Sequence, residues 1–85
     1  MNLNKGLIEY DELFSTNFIE GSKIREIWDH FKRAPNKEDL DELEVLIRHE
    51  PISWSTWIEF WMPKLHELRQ WYARHTMIVG ALRSE

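Results

Sequence analysis

Cysteine is absent from the 85 residues, so neither a disulfide framework nor a thiolate metal site can staple this chain. Glycine is nearly as scarce: Gly6, Gly21 and Gly80 stand far apart, and no glycine-rich loop exists to cradle a phosphate. No run approaches the ~18 apolar residues that span a bilayer. The N-terminal "MNLNKGLIEYDELF" lacks a basic stretch followed by an apolar one, so the chain is read as soluble, unprocessed and cytoplasmic. β-Branched residues are too scattered for strand-like alternation, and repeats and low-complexity tracts are missing. What survives these exclusions is an all-α chain: a single domain formed as a compact bundle of four to five short helices, with proline-marked connections and a longer C-terminal helix.

Catalytic chemistry finds little to work with. A metal would need histidines or carboxylates at ligand spacing, yet no two of His30, His49, His66 and His75 are closer than nine residues. The stretch "HELRQ" at 66–70 opens like HExxH but places Gln70 where the second ligand belongs. The histidines are therefore read as surface or capping groups, with His30 able to pair with Glu26 and His49 with a nearby carboxylate. Ser15, Ser22, Ser53, Ser55 and Ser84 read as caps or turn residues. No enzyme, metal or cofactor is expected.

The prolines punctuate what is present. Pro35, Pro51 and Pro63 cut the second half into helical lengths, each disfavouring helix in the residue before it. A first segment sets Leu3, Leu7, Tyr10 or Asp11, and Phe14 at helical intervals beside Leu13, with Asn4 or Asp11 as candidate N-caps. A second starts from Ser22 as N-cap and carries Ile24, Ile27, Trp28 and Phe31 on one face, stopping near Ala34. A third starts from Asn36, with Leu40, Leu43, Leu46 and Ile47 as its apolar stripe. Its other face is acidic: Glu38, Asp39, Asp41, Glu42, Glu44 and Glu50, against Arg48.

The fourth segment, "PISWSTWIEFWMP", crowds Trp54, Trp57, Phe60 and Trp61 between two prolines. Ser53 can cap it, and Trp54, Trp57, Ile58 and Trp61 follow helical spacing, so three indoles are expected along one side. If the phase continues past Pro63, then Leu65, Leu68, Trp71, Tyr72, Ile78, Val79 and Leu82 extend the stripe. Pro63 removes a backbone hydrogen bond and crowds the Glu59 carbonyl, so a break or sharp kink is expected there, with a final helix from about 63 to 82.

Aromatics on more than one side of a helix imply two surfaces to cover, and a chain of 10.4 kDa has trouble covering both. Trp57 and Trp61 are assigned to the core; Trp54, Phe60 and Trp71 are assigned to an interface, for which tryptophan is an enriched residue type. "MIVGAL", with Gly80 and Ala81, is another candidate contact. The expected function is a small non-enzymatic interaction module, a regulator or inhibitor that binds a protein partner through the aromatic patch and the acidic residues Asp41, Glu42 and Glu44. Self-association as a homodimer is the other partner expectation.

The alternative is a small DNA-binding transcription regulator. "LEVLIRHEPISWSTWIEFW" has the cadence of a degenerate helix-turn-helix, but residues 53–62 carry no basic side chain to meet base edges or phosphate. Residues 1–62 hold 7 basic and 13 acidic side chains, and residues 63–85 hold 4 and 2, so no dense basic face exists. Lys64, Arg69, Arg74 and Arg83 are equally well explained as charges snorkelling along an amphipathic helix. Nucleic acid and membrane are not expected as partners.

Overall fold

A computed structural model describes the backbone of residues 5–83 and the side chains of residues 6–78. Every element among them is helical. The chain divides into two units, residues 1–52 and residues 53–85.

The first unit opens with a 3-10 turn, Lys5–Leu7, followed by α1 (Ile8–Asn17), α2 (Lys23–Arg33) and α3 (Lys37–Arg48). Local chemistry sets the boundaries of the last two. The Ser22 hydroxyl accepts the Arg25 N–H at 3.3 Å, and the Asn36 side chain accepts the Asp39 N–H at 2.8 Å, so both expected N-caps are in place. Ala34 leaves the helical region at φ −146°, ψ 79° ahead of Pro35, which ends α2 where the proline requires it. Gly21 stands at φ +91° in the turn between α1 and α2, a conformation that L-residues with side chains rarely adopt.

The start of α1 differs from the expectation. Leu7 occupies the N-cap position and no side chain caps the helix; Asn4 and Leu3 lie outside the described residues. Asp11 is drawn elsewhere, as set out below.

Both α1 and α3 pack on α2. Ile24, Ile27, Trp28 and Phe31 are buried, as the α2 spacing predicts, and Leu40, Leu43 and Ile47 are buried from α3 while Leu46 is half-covered. Trp28 is fully buried and stacks on Phe14 with ring centroids 4.4 Å apart. Phe18, just beyond the end of α1, adds a further buried ring.

The second unit is one helical run: α4 (Trp54–Thr56), a π-turn (Trp57–Trp61) and α5 (Met62–Arg83). Ser53 caps it as expected, accepting the Thr56 N–H at 3.2 Å. The break expected at Pro63 is replaced by the π-turn. Met62 keeps helical angles (φ −59°, ψ −47°), and its N–H reaches back five residues to the Trp57 carbonyl. Pro63 has no N–H for the Glu59 carbonyl and its ring crowds that oxygen; opening the preceding turn relieves the crowding without ending the helix.

The wider turn advances by a smaller angle per residue than an α-helix. Trp57 therefore swings into line with Trp61, Leu65 and Leu68, and all four are buried. Trp54 and Ile58 rotate out to the edge and are exposed. The expected row of three indoles is thus resolved into two inside and one outside.

Candidate interaction surface

The residues that set the problem on the C-terminal run face two ways. Trp57 is 6% exposed, whereas Trp54 is 69% exposed at the N-terminus of the same run. Phe60, 37% exposed, packs perpendicular to the buried Trp61 ring at 5.2 Å and 89°, so it is partly covered and partly open to solvent. Met62 beyond it is also exposed. Trp71 is half-buried and lies flat on His75 at 5.0 Å and 7°.

Beyond Leu68 no described residue is buried. Tyr72 and His75 continue the phase of Leu65 and Leu68 but are only half-covered, and Met77 and Ile78 are 73% and 62% exposed. Val79, Gly80, Ala81 and Leu82, which complete the "MIVGAL" contact and the long stripe, lie outside the residues whose side chains are described.

The acidic helix presents fewer free carboxylates than its composition implies. Asp39 accepts from the Asn36 amide at 2.8 Å and meets the His30 ring, so it is committed to joining α2 to α3. Asp41 is half-buried and pairs with Lys37 at 2.8 Å; Lys37, the first residue of α3, is a second cation beside Arg48 on this helix. Glu44 is half-buried. Glu38, Glu42 and Glu50 are exposed. Of the three predicted acidic contacts, Glu42 is fully presented and Asp41 and Glu44 are partly covered. The histidine pairings also change: His30 takes Asp39 in place of Glu26, and the His49 Nδ1 donates to the Val45 carbonyl at 2.7 Å in place of meeting a carboxylate.

An open cleft of about 430 Å³ lies between the α1–α2 turn and the C-terminal half of α3. Phe18, Ile24 and Leu46 supply apolar walls, with Lys23 and Glu50 of opposite charge among the lining residues. Ser22 also lines it, but its hydroxyl is occupied by the helix cap. Ile19, 79% exposed at the turn, belongs to none of the helical stripes, and a lone apolar residue before "EGS" was the one available sign of this cleft.

The buried indole of Trp28 donates its N–H to Asp11 Oδ1 at 2.9 Å, and the Lys32 ammonium donates to the same oxygen at 2.6 Å. Lys32 also meets Asp29 at 3.3 Å. The Lys32 bond first, and the Trp28 bond second, hold the Asp11 carboxyl below the usual aspartate range against the opposing effect of burial. For Lys32 burial is the largest influence and works against the charge. The bonds to Asp11 and Asp29 outweigh it and hold the ammonium above the ordinary lysine range. This triad ties α1 to α2 and is structural.

Among the described residues no three His, Asp or Glu side chains converge as metal ligands. No helix among them is long and apolar enough to cross a membrane. Comparison with protein-family models, curated proteins and solved structures finds no match to this chain.

Proposed function

We propose that this chain is a non-enzymatic protein-interaction module, a regulator or inhibitor that engages a protein partner through aromatic residues exposed on its C-terminal helical run. The observation that carries the reading is the large apolar surface left around a buried stripe of that run: Trp57, Trp61, Leu65 and Leu68 are buried, while Trp54, Phe60, Met62, Met77 and Ile78 remain exposed. Exposed large apolar residues on a helix already committed on one side are costly to leave in water and are the usual material of interface anchors. Glu42 and the neighbouring carboxylates of α3 supply a separate charged surface, which would favour basic partner segments and speed encounter more than it would add affinity.

The test uses Trp54→Ala and Phe60→Ala in the full chain. Both variants are expected to keep their helical circular dichroism and to lose partner capture or concentration-dependent association in light scattering. Collapse of the helical signal in both would place these rings in the core and sink the reading. Binding of duplex DNA that falls steeply with salt would replace it with the DNA-binding alternative.

A further inference from the structure

Lys23 and Glu50 line the cleft between the α1–α2 turn and the end of α3, both are exposed, and neither side chain meets a partner among the described residues. Glu20 and Glu26, the carboxylates nearest Lys23 in the sequence, leave it unpaired as well. Each charge also stands at the wrong end of its helix. Lys23 is the first residue of α2, where the helix dipole is positive, and Glu50 follows the C-terminus of α3, where it is negative. The opposite charge would suit the fold better at both positions.

The apolar part of the cleft is open too. Of its lining residues Phe18 and Ile24 are buried, Leu46 is half-covered and Ile19 stands 79% exposed. A tight turn holds Ile19 there: its carbonyl accepts the Ser22 N–H at 3.1 Å, and Gly21 supplies the positive φ. A large apolar side chain fixed by its backbone beside an apolar cleft is suited to gripping an incoming apolar group. The cleft volume of about 430 Å³ is less than that of one turn of helix, roughly 500 Å³ from its diameter and pitch, so a few residues of extended chain fit it and a helix does not.

We propose that this cleft binds an extended peptide segment of another protein, in which one or two apolar residues stand between an acidic and a basic residue. The apolar side chains enter among Phe18, Ile19, Ile24 and Leu46, the acidic residue pairs with Lys23, and the basic residue pairs with Glu50. Because both charges are exposed, the binding is weak and reversible and declines as salt rises. The site lies wholly within residues 1–52 and is independent of the aromatic residues proposed above as an interface.

The probe is a blocked fluorescent peptide, Glu-Leu-Leu-Arg between glycine spacers, titrated with the full chain by anisotropy. Its controls carry Glu-Leu-Leu-Glu, Arg-Leu-Leu-Arg or Glu-Ser-Ser-Arg in the same spacers. The mixed-charge apolar peptide is expected to bind at least about fivefold more tightly than each control. Lys23→Glu is expected to weaken that binding and strengthen binding of Arg-Leu-Leu-Arg, and Glu50→Lys to shift preference toward Glu-Leu-Leu-Glu. Ile19→Ser should weaken binding of every leucine peptide. Both charge reversals are expected to raise the melting temperature of the free chain, by about 2 °C each, so their loss of binding is not a loss of fold. A fall in melting temperature on either reversal would show that the fold uses that charge and overturn the proposal. Equal binding of the mixed and uniform peptides also overturns it, as does no binding of any peptide, or mixed-peptide binding unchanged by Ile19→Ser and Lys23→Glu. None of these failures touches the Trp54 and Phe60 result, which reads residues of the other unit; partner capture that depends on them stands whether or not the cleft binds.

Discussion

At the scale of single residues the firmest consequence concerns Asp11. Its carboxyl is held below the usual aspartate range in the folded chain, so its contribution to stability is present above about pH 4 and is lost as pH falls through the lower folded value. Because the side chain is 46% exposed, Asp11→Asn is expected to cost only about 1 kcal/mol at pH 7. Urea titrations at several pH values should show that cost shrinking toward zero in acid. A cost unchanged at pH 2 would mean the carboxylate charge is not what matters. Gly21 gives a second expectation. A Cβ there meets open space, so Gly21→Ala pays only for the φ of +91°, about 1 kcal/mol by thermal denaturation, and Gly21→Asn pays less.

These two residues also show where the sequence was readable. Ser22, Asn36 and Ser53 could be assigned as caps because a cap is decided within three residues by a side chain and one N–H. Asp11 sits 17 residues from Trp28 and 21 from Lys32, and nothing local reveals that it serves them before it caps a helix. Asp39 is similar: it was read as one carboxylate of an acidic face, and its meeting with His30 depends on how two helices pack.

At the scale of elements, α2 and α3 were legible because burial follows a single period from cap to proline. The C-terminal run was not, because two phases compete in it. One phase carries Trp54 and Ile58, the other carries Trp57, and both join Trp61. Proline chemistry tips the choice toward Trp57 through the π-turn. Pro63→Ala removes the crowding at Glu59 and is expected to raise helical circular dichroism while changing the fluorescence of the buried indoles, as Trp57 loses its alignment. An unchanged spectrum would mean that the tryptophans alone hold the turn open.

At the scale of the whole molecule, covered apolar surface and charge are distributed unequally along the chain. The basic excess lies in residues 63–85, and no described residue past Leu68 is buried. A chain ending at Gln70 is therefore expected to unfold within about 5 °C of the full chain, since it gives up no buried side chain among those described. A large fall in melting temperature would make the rest of α5 part of the core. The candidate surface was only partly legible at this scale: residue type and spacing singled out Trp54, Phe60 and Trp71, of which the first two are exposed and Trp71 is half-buried, whereas the cleft beside Phe18 and Leu46 is made by tertiary packing that no local pattern encodes.

The π-turn has a genetic reading. Loss of one codon between Trp57 and Trp61 would shorten the step between the two indoles from four residues to three, which an ordinary α-helix accommodates with both still facing inward. Such a deletion, of Glu59 for example, removes an exposed residue and shifts the proline one place along the chain. A chain lacking that codon should fold with Trp57 and Trp61 still shielded from a fluorescence quencher, and with Trp54 and Phe60 keeping their bearings, since their steps to Trp57 and Trp61 are unchanged. Here a single-residue length change is absorbed by the width of one turn, and the residues on either side of it stay in place.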